Sequence, residues 1–440
     1  MKKITRLLAA LMALLMLCVP ALAETTEATT SPDDVLATVN GQNVTRAQFD
    51  GYYASLEGYY AQYYDVTDPE IVSLLKEFAM ETAIQYAIMD QKIVELGLEL
   101  TDAERADAEQ LAREDWEAVV ADGMAYYGIT ADSTEEERAT MMIQILAELE
   151  SMGYTEASYI ADGVMYAGYD KLQAEMIKDA VVTDEEVKAY YDSLVEADQV
   201  AYQNDAASYE SAEYMNQMYL MYGMADYYMD LYYKPEGYRA VTHILLEVEE
   251  DLLAAYTNLQ AAYEEQQAAI EEGEEVTETL VTAEEVEAAR LAVIASVQPT
   301  IDEINQKLAE GTAFADLIPL YSADPGMQDA ESIAAGYEVH MDSVNWDTAF
   351  RDAAFTVDNV GDVTEPVVGS FGVHILQYAA DVPGGPVEYT DELRETLRAD
   401  LLLTAQNNAY SQKMTQWTEE ATIVYSDEAL AMLPATVTAE

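Results

Sequence analysis

Residues 238–246, Tyr238-Arg239-Ala240-Val241-Thr242-His243-Ile244-Leu245-Leu246, come directly after Lys234-Pro235-Glu236-Gly237. The proline and glycine break the preceding helix, and the apolar run that comes next reads as a β-strand with a histidine in its middle. Residues 249–310 return to acidic helical sequence, with Thr282 and Glu285 spaced as a capping box. From Phe314 to Gln377 the texture changes to short strands, Gly and Pro turns and one helix around Phe350 to Phe355; a second histidine-bearing run, Phe371-Gly372-Val373-His374-Ile375-Leu376, falls near its end.

Outward from this block the chain is helical. Between Thr45 and Val195 apolar residues recur at three- and four-residue spacing, as in Leu74, Leu75, Phe78 and Ala79. Thr101 with Glu104 and Thr183 with Glu186 are capping-box starts. Before them, Leu36 to Thr45 contains an Asn40-Gly41 pair suited to a tight hairpin, and Thr45 with Gln48 starts a helix. Gly384-Gly385-Pro386 reads as a linker, and Asp391 to Glu420 as an amphipathic helix. Residues 202–233 hold nine tyrosines and five methionines. Such a segment is either an adaptable apolar surface for varied chains or a core-facing helix, and exposure distinguishes the two.

The N-terminal Met1-Lys2-Lys3-Ile4-Thr5-Arg6, the apolar run Leu7 to Val19 and the exit Ala21-Leu22-Ala23 have the three parts of a secretory signal peptide. Cleavage is expected near Ala23, giving an exported protein, extracellular or in the cell envelope. Residues 24–33 are then a flexible tether. Cys18, the only cysteine, lies within that leader, so disulfides and thiol chemistry are excluded from the mature chain. A membrane attachment would have to run through lipid on Cys18, which the bulky Leu17 disfavours. Loss of the leader's three cations takes the formal charge from −64 to −67. A charge of that sign excludes nucleic acid and anionic lipid as partners. With three histidines in the chain and no ligand spacing among them, no metal is expected.

Taken in order, the fragments Val241 to Leu246, Gly311 to Leu317, Tyr321 to Gly326, Phe350 to Phe355, Gly361 to Val367 and Phe371 to Leu376 resemble the parvulin-type peptidyl-prolyl isomerases. The resemblance is interrupted by about fifty residues, near 249–298, expected to form a pair of acidic helices that project without adding to the core. Leu36 to Phe49 and Val182 to Val187 resemble secreted PrsA- and SurA-type foldases. The implied fold is α+β: a mostly helical SurA-like chaperone domain of N-terminal helices plus a C-terminal helix, with an inserted parvulin-like α/β domain. The expected boundaries are 34–235 for the helical domain, 236–383 for the inserted domain and 387–435 for the C-terminal helix, packed on the first.

By position, the resemblance implies that His243 and His374 are the paired histidines of a prolyl-isomerase site and that Asp324 stands beside them. Phe350, Trp346 and Phe371 would bind substrate. No cofactor is implied, because rotation about an X-Pro bond makes and breaks no bond. Expected partners are unfolded or partly folded exported polypeptides with X-Pro bonds. Glu338 falls where the family has a pocket leucine. That substitution, with Ala335-Gly336-Tyr337-Glu338-Val339 standing for the family's Gly-Gly-Asp-Leu-Gly stretch, motivates the alternative, a non-catalytic holdase with a degenerate parvulin-like client-binding domain. A solute-binding protein is disfavoured because residues 34–235 lack strand and helix alternation.

Overall fold

The computed structural model describes residues 31–272 and 280–433. The leader, with Cys18 and the cleavage site near Ala23, lies outside them, as do residues 24–30 of the expected tether. Among the described residues no helix is long and apolar enough to cross a membrane. The chain groups into two compact units, one made of residues to Val182 and from Ala399 onward, the other of Thr183–Arg398.

In the first unit, β1 (Val35–Val39) and β2 (Gln42–Thr45) form the expected hairpin. Asn40 and Gly41 turn it with φ of 53° and 85°, a left-handed pair that the Asn-Gly dipeptide tolerates. Five helices come next: α1 (Arg46–Tyr60), α2 (Pro69–Glu95), α3 (Asp102–Tyr126), α4 (Glu135–Ser151) and α5 (Glu156–Ile177). The Thr45 and Thr101 capping boxes form as read, and Thr134 with Glu137 adds another. Leu36, Val39, Phe49, Leu75, Met80 and Ile88 build one core.

The C-terminal segment contributes α13 (Asp391–Glu420), β9 (Ile423–Tyr425) and α14 (Asp427–Met432). Met414 and Trp417 of α13 pack with Met89, Tyr169 and Leu172. Beyond the expected helix, β9 completes a sheet of order β2-β1-β9.

The second unit begins with α6 (Asp184–Tyr202), capped by Thr183 and Glu186, and α7 (Ala206–Met221). Next come β3 (Tyr233–Lys234), β4 (Arg239–Leu246), α8 (Glu250–Glu272), α9 (Ala283–Ala309), α10 (Phe314–Tyr321), α11 (Ala330–Ala335) and β5 (Tyr337–Val339). The unit's remaining elements are α12 (Thr348–Ala354), β6 (Val367–Gly369), β7 (Gly372–Asp381) and β8 (Gly385–Pro386), before the first turns of α13. An antiparallel sheet of order β5-β4-β7-β6 puts the two histidine strands side by side at its centre.

Two expectations meet a different arrangement. The border expected at 235 falls after Val182 instead, because α6 and α7 are tied to residues later in the chain. Buried Glu210 accepts from Tyr238 Oη at 3.2 Å and from the Val344 N–H at 3.2 Å, and also bonds Ser343 Oγ. Tyr191 donates to the Val387 carbonyl. The inserted helices, expected to stay out of the core, enter it. Val293 is fully buried, and with Tyr256 and Val286 it joins a cluster holding Ile244, Phe314 and Ile375. Acidic residues fill the outer faces of α8 and α9 while a thin apolar stripe seals them down. Pro299 sits inside α9, and the helix runs on through it into the segment where the resemblance resumes.

Candidate active site

Strand pairing does the first part of the positioning. β4 and β7 run antiparallel with Leu245 opposite His374 and His243 opposite Leu376. The two histidines are thus offset by two positions, with the Ile244–Ile375 pair between them, and project from the same face. Their rings lie 5.3 Å apart and nearly parallel, at 15°, with Nδ1 to Nδ1 at 3.1 Å across 131 residues of sequence.

A polar chain runs on from His243. Its Nε2 lies 2.7 Å from Asp324 Oδ2, and the Tyr337 hydroxyl donates to that same oxygen at 2.8 Å. Burial raises the Asp324 carboxyl, but hydrogen bonds from His243, Tyr337 and the Gly326 N–H outweigh it and hold the group below its usual range. Asp324 is therefore an ionised acceptor, and His243 Nε2 carries the proton it donates. Burial drives His243 toward its neutral form against the pull of Asp324, so its Nδ1 is a bare acceptor. His374 must then donate from Nδ1. Burial, then the neighbouring His243, pushes the His374 imidazole down to about 4, so it too is neutral and its Nε2 keeps a lone pair. That nitrogen is buried and has no partner among the described residues. It faces Gly369, where an added β-carbon would lie 3.0 Å away.

Aromatic rings wall the other side. Phe350, 3% exposed, stands edge-on to both histidines, at 5.0 Å and 85° from His243 and at 5.4 Å and 76° from His374. Trp346 stacks on Phe350 at 5.3 Å and donates its indole N–H to the Glu338 carbonyl at 3.0 Å. Of the six residues expected at the site, five gather here. Phe371 does not: at 72% exposed on the turn between β6 and β7, it makes no ring contact among the described residues. Glu338 pairs with Lys234, and strand alternation puts its carboxylate on the opposite face of β5 from Tyr337.

The sequence reading missed three contributors. Tyr337 closes the polar chain and packs 4.9 Å from Trp346. Fully buried Met327 offers its sulfur to the His243 backbone N–H at 3.3 Å. Asp347 caps α12 through Ala349 N at 2.9 Å and Phe350 N at 3.3 Å, and its other oxygen accepts the Ser370 N–H at 3.0 Å. One carboxylate thereby links the helix that carries Phe350 to the turn that leads into His374. The only signal available was Asp347's place as a helix N-cap, three residues before Phe350.

Comparison with known proteins finds two domain matches. Residues 1–114 match the SurA-like N-terminal domain, and residues 289–380 match the PPIC-type PPIASE domain. The second match takes in Asp324, Trp346, Phe350 and His374 but starts inside α9, so β4 and His243 lie outside it. The foldase protein PrsA 2 of Listeria innocua is 33% identical over 107 residues, 24% of this chain and 35% of that protein. Foldase protein PrsA 4 of Bacillus cereus is 32% identical over 109 residues, 25% of this chain and 36% of that protein. The aligned part thus spans about a third of the length of these relatives. Among solved structures, one of the SurA-like chaperones PEB4 and Cj1289 of Campylobacter jejuni is 10% identical, with 89% of this chain and 99% of that one covered, at a TM-score of 0.31. The chain is similar to the PrsA foldases and pairs a SurA-like N-terminal domain with a PPIC-type rotamase domain.

Proposed function

We propose that the protein is an exported peptidyl-prolyl cis-trans isomerase that also acts as a folding chaperone for secreted or cell-envelope polypeptides. The observation that carries the reading is the convergence of His243, His374, Asp324, Phe350 and Trp346 on one face of the second unit's sheet. Rotation about an X-Pro bond must overcome ~18–20 kcal/mol of amide resonance and moves no atom between molecules. A catalyst has only to favour the twisted amide over both planar forms.

In this reading the proline ring lies against Phe350 and Trp346. The histidine pair and Asp324 offer a buried polar strip to the carbonyl and nitrogen of the twisting amide. With both histidines neutral, that strip works through hydrogen bonds and dipoles, and no proton transfer is needed. The holdase alternative rests on Glu338 and on the altered Gly-rich stretch at residues 335–339; the Glu338 carboxylate pairs with Lys234 on the other face of β5.

Chaperone action is assigned to a different surface. Tyr214, Leu220, Met221, Tyr222 and Met229 are 55%, 56%, 72%, 68% and 62% exposed, so most of the Tyr/Met segment faces solvent and little of it faces a core. Broad, flexible apolar contact of this kind suits unfolded chains. The test is the cis-to-trans rate of a proline tetrapeptide alongside suppression of aggregation of a denatured client. A wild-type protein with neither activity overturns the proposal; one that suppresses aggregation without isomerising reinstates the holdase reading.

A further inference from the structure

In the first unit, α3 and α5 approach closely where Ala112 meets Gly163. A β-carbon added to Gly163 would stand 2.5 Å from the Ala112 methyl. Beside this contact the two helices line a groove of about 650 Å³.

The lining repeats one pattern on both sides. On α3 it reads Asp107, Leu111, Asp115, and on α5 it reads Asp162, Tyr166, Asp170, each an acid-apolar-acid series at four-residue steps. Four residues of helix advance about 6 Å along the axis. Alternate residues of an extended chain advance by roughly the same distance, about 6.6 Å, and share a face. The one cation in the lining, Lys171, is already paired with Glu104 at 2.9 Å. None of the four aspartates has an ion pair among the described residues, while Leu111 stands 63% exposed between two of them.

We propose that this groove binds an extended client segment in which two lysines or arginines flank an apolar residue at alternate positions, in the pattern cation-x-apolar-x-cation. The apolar side chain lies between Leu111 and the α5 face, and the cations meet the aspartates above and below. Such a segment supplies the positive charge that the groove lacks, and extended backbone supplies the register. Partial burial holds the Asp162 carboxyl above its usual range, so a cation brought beside it would find charge that is incompletely solvated. The inference deepens the chaperone reading by naming what the first unit would select from a client.

The test uses the mature chain and three fluorescein-labelled peptides, Gly-Ser-Lys-Ser-Phe-Ser-Lys-Ser-Gly and the same sequence with both lysines replaced by glutamine or by glutamate, monitored by fluorescence anisotropy. The lysine peptide should bind, the glutamine peptide more weakly and the glutamate peptide not at all. Asp162→Asn with Asp170→Asn should weaken the lysine peptide about fivefold. Leu111→Ser should weaken it as well. Glu135→Gln with Glu136→Gln, an equal charge change outside the groove, should alter it less than about twofold. All variants should keep wild-type helix content by circular dichroism. Equal weakening by the two paired substitutions would mean attraction to bulk charge and would overturn the groove; so would glutamine and lysine peptides that bind alike. Isomerisation and aggregation assays on the same samples judge the chaperone reading separately, and the peptide result decides the groove whichever way they fall.

Discussion

The histidine site and the Tyr/Met segment belong to the same unit and are built in opposite ways. Around His243, rings pack at 5.0–5.6 Å, and hydrogen bonds converge on Asp324 from two sides, from Tyr337 directly and from His374 through His243. Along residues 214–230 most of the large apolar side chains point outward, and a buried amide helps to hold the return of the chain after α7. Asn216 donates to the Met229 carbonyl at 2.6 Å and accepts from the Met229 N–H at 3.0 Å. The first arrangement has surrendered its side-chain entropy before any substrate arrives; the second still holds it. Recognition of one twisted amide needs the former, and contact with many different chains is better served by the latter.

Four experiments break or sharpen this contrast. The largest effect is expected from Phe350→Ala, which removes the ring touching both histidines. Isomerisation should fall on the order of 100-fold through lost positioning, with aggregation suppression retained below the variant's melting temperature. Phe350 is buried, so a stability cost of about 3–5 kcal/mol accompanies the change. Phe350→Leu, milder in that respect, separates the two effects. If both activities fall together in a folded Phe350→Leu protein, clients are held at the isomerase site and the contrast fails.

Val293→Ala tests whether the inserted helices belong to the rigid side of the comparison. Fully buried in the cluster with Ile244 and Ile375, Val293 should cost about 2 kcal/mol of denaturant stability when truncated. An unchanged midpoint would return α9 to the role of a projecting arm.

Acid should loosen the site and leave the Tyr/Met segment indifferent. The His374 pKa falls from 6.5 in the unfolded chain to about 4 in the fold, and that of His243 also falls. The unfolded state therefore binds more protons in this window. The stability these neutral rings contribute is whole above pH 6.5 and drains away as pH drops toward 4. Thermal melts across that range should decline less steeply in a folded His374→Phe variant. Identical slopes would place the acid sensitivity elsewhere.

The smallest stability change is expected from Met221→Ser with Tyr222→Ser, two exposed residues whose loss should move stability by no more than about 0.5 kcal/mol each. Client holding should nonetheless decline while tetrapeptide isomerisation stays at the wild-type rate. Undiminished holding would remove this segment from the chaperone surface.

Local signals were the legible ones. The Thr45, Thr101, Thr183 and Thr282 capping boxes and the Asn40-Gly41 hairpin form as read, since each needs only residues within a few positions of one another. The histidine pair emerged only through resemblance, because nothing in either strand alone announces a partner 131 residues away. Tyr337 was invisible for a related reason: its role depends on Gly326, whose missing side chain leaves room for the hydroxyl. A β-carbon there would lie 2.1 Å from that oxygen. The border after Val182 rests on Glu210, a buried carboxylate whose partners Tyr238, Ser343 and Val344 come from distant stretches. Phe371 was misplaced because adjacency to the Gly372-Val373-His374 turn fixes its backbone and says nothing of where its ring goes.

The inserted helices also set the order in which the protein can be finished. β4 lies between β5 and β7, and both of those partners are synthesised well after it, with α8 and α9 in between. Closing so long a loop is slow and entropically costly, and the pairing repays it only when β7 is present. A chain synthesised from its N-terminus can form the hairpin of β1 and β2 and helices α1 to α5 while the histidine strand still waits for its neighbour. The proposed isomerase activity should therefore be absent from every nascent chain that ends before Asp381, and the first unit closes later still, when β9 reaches β1.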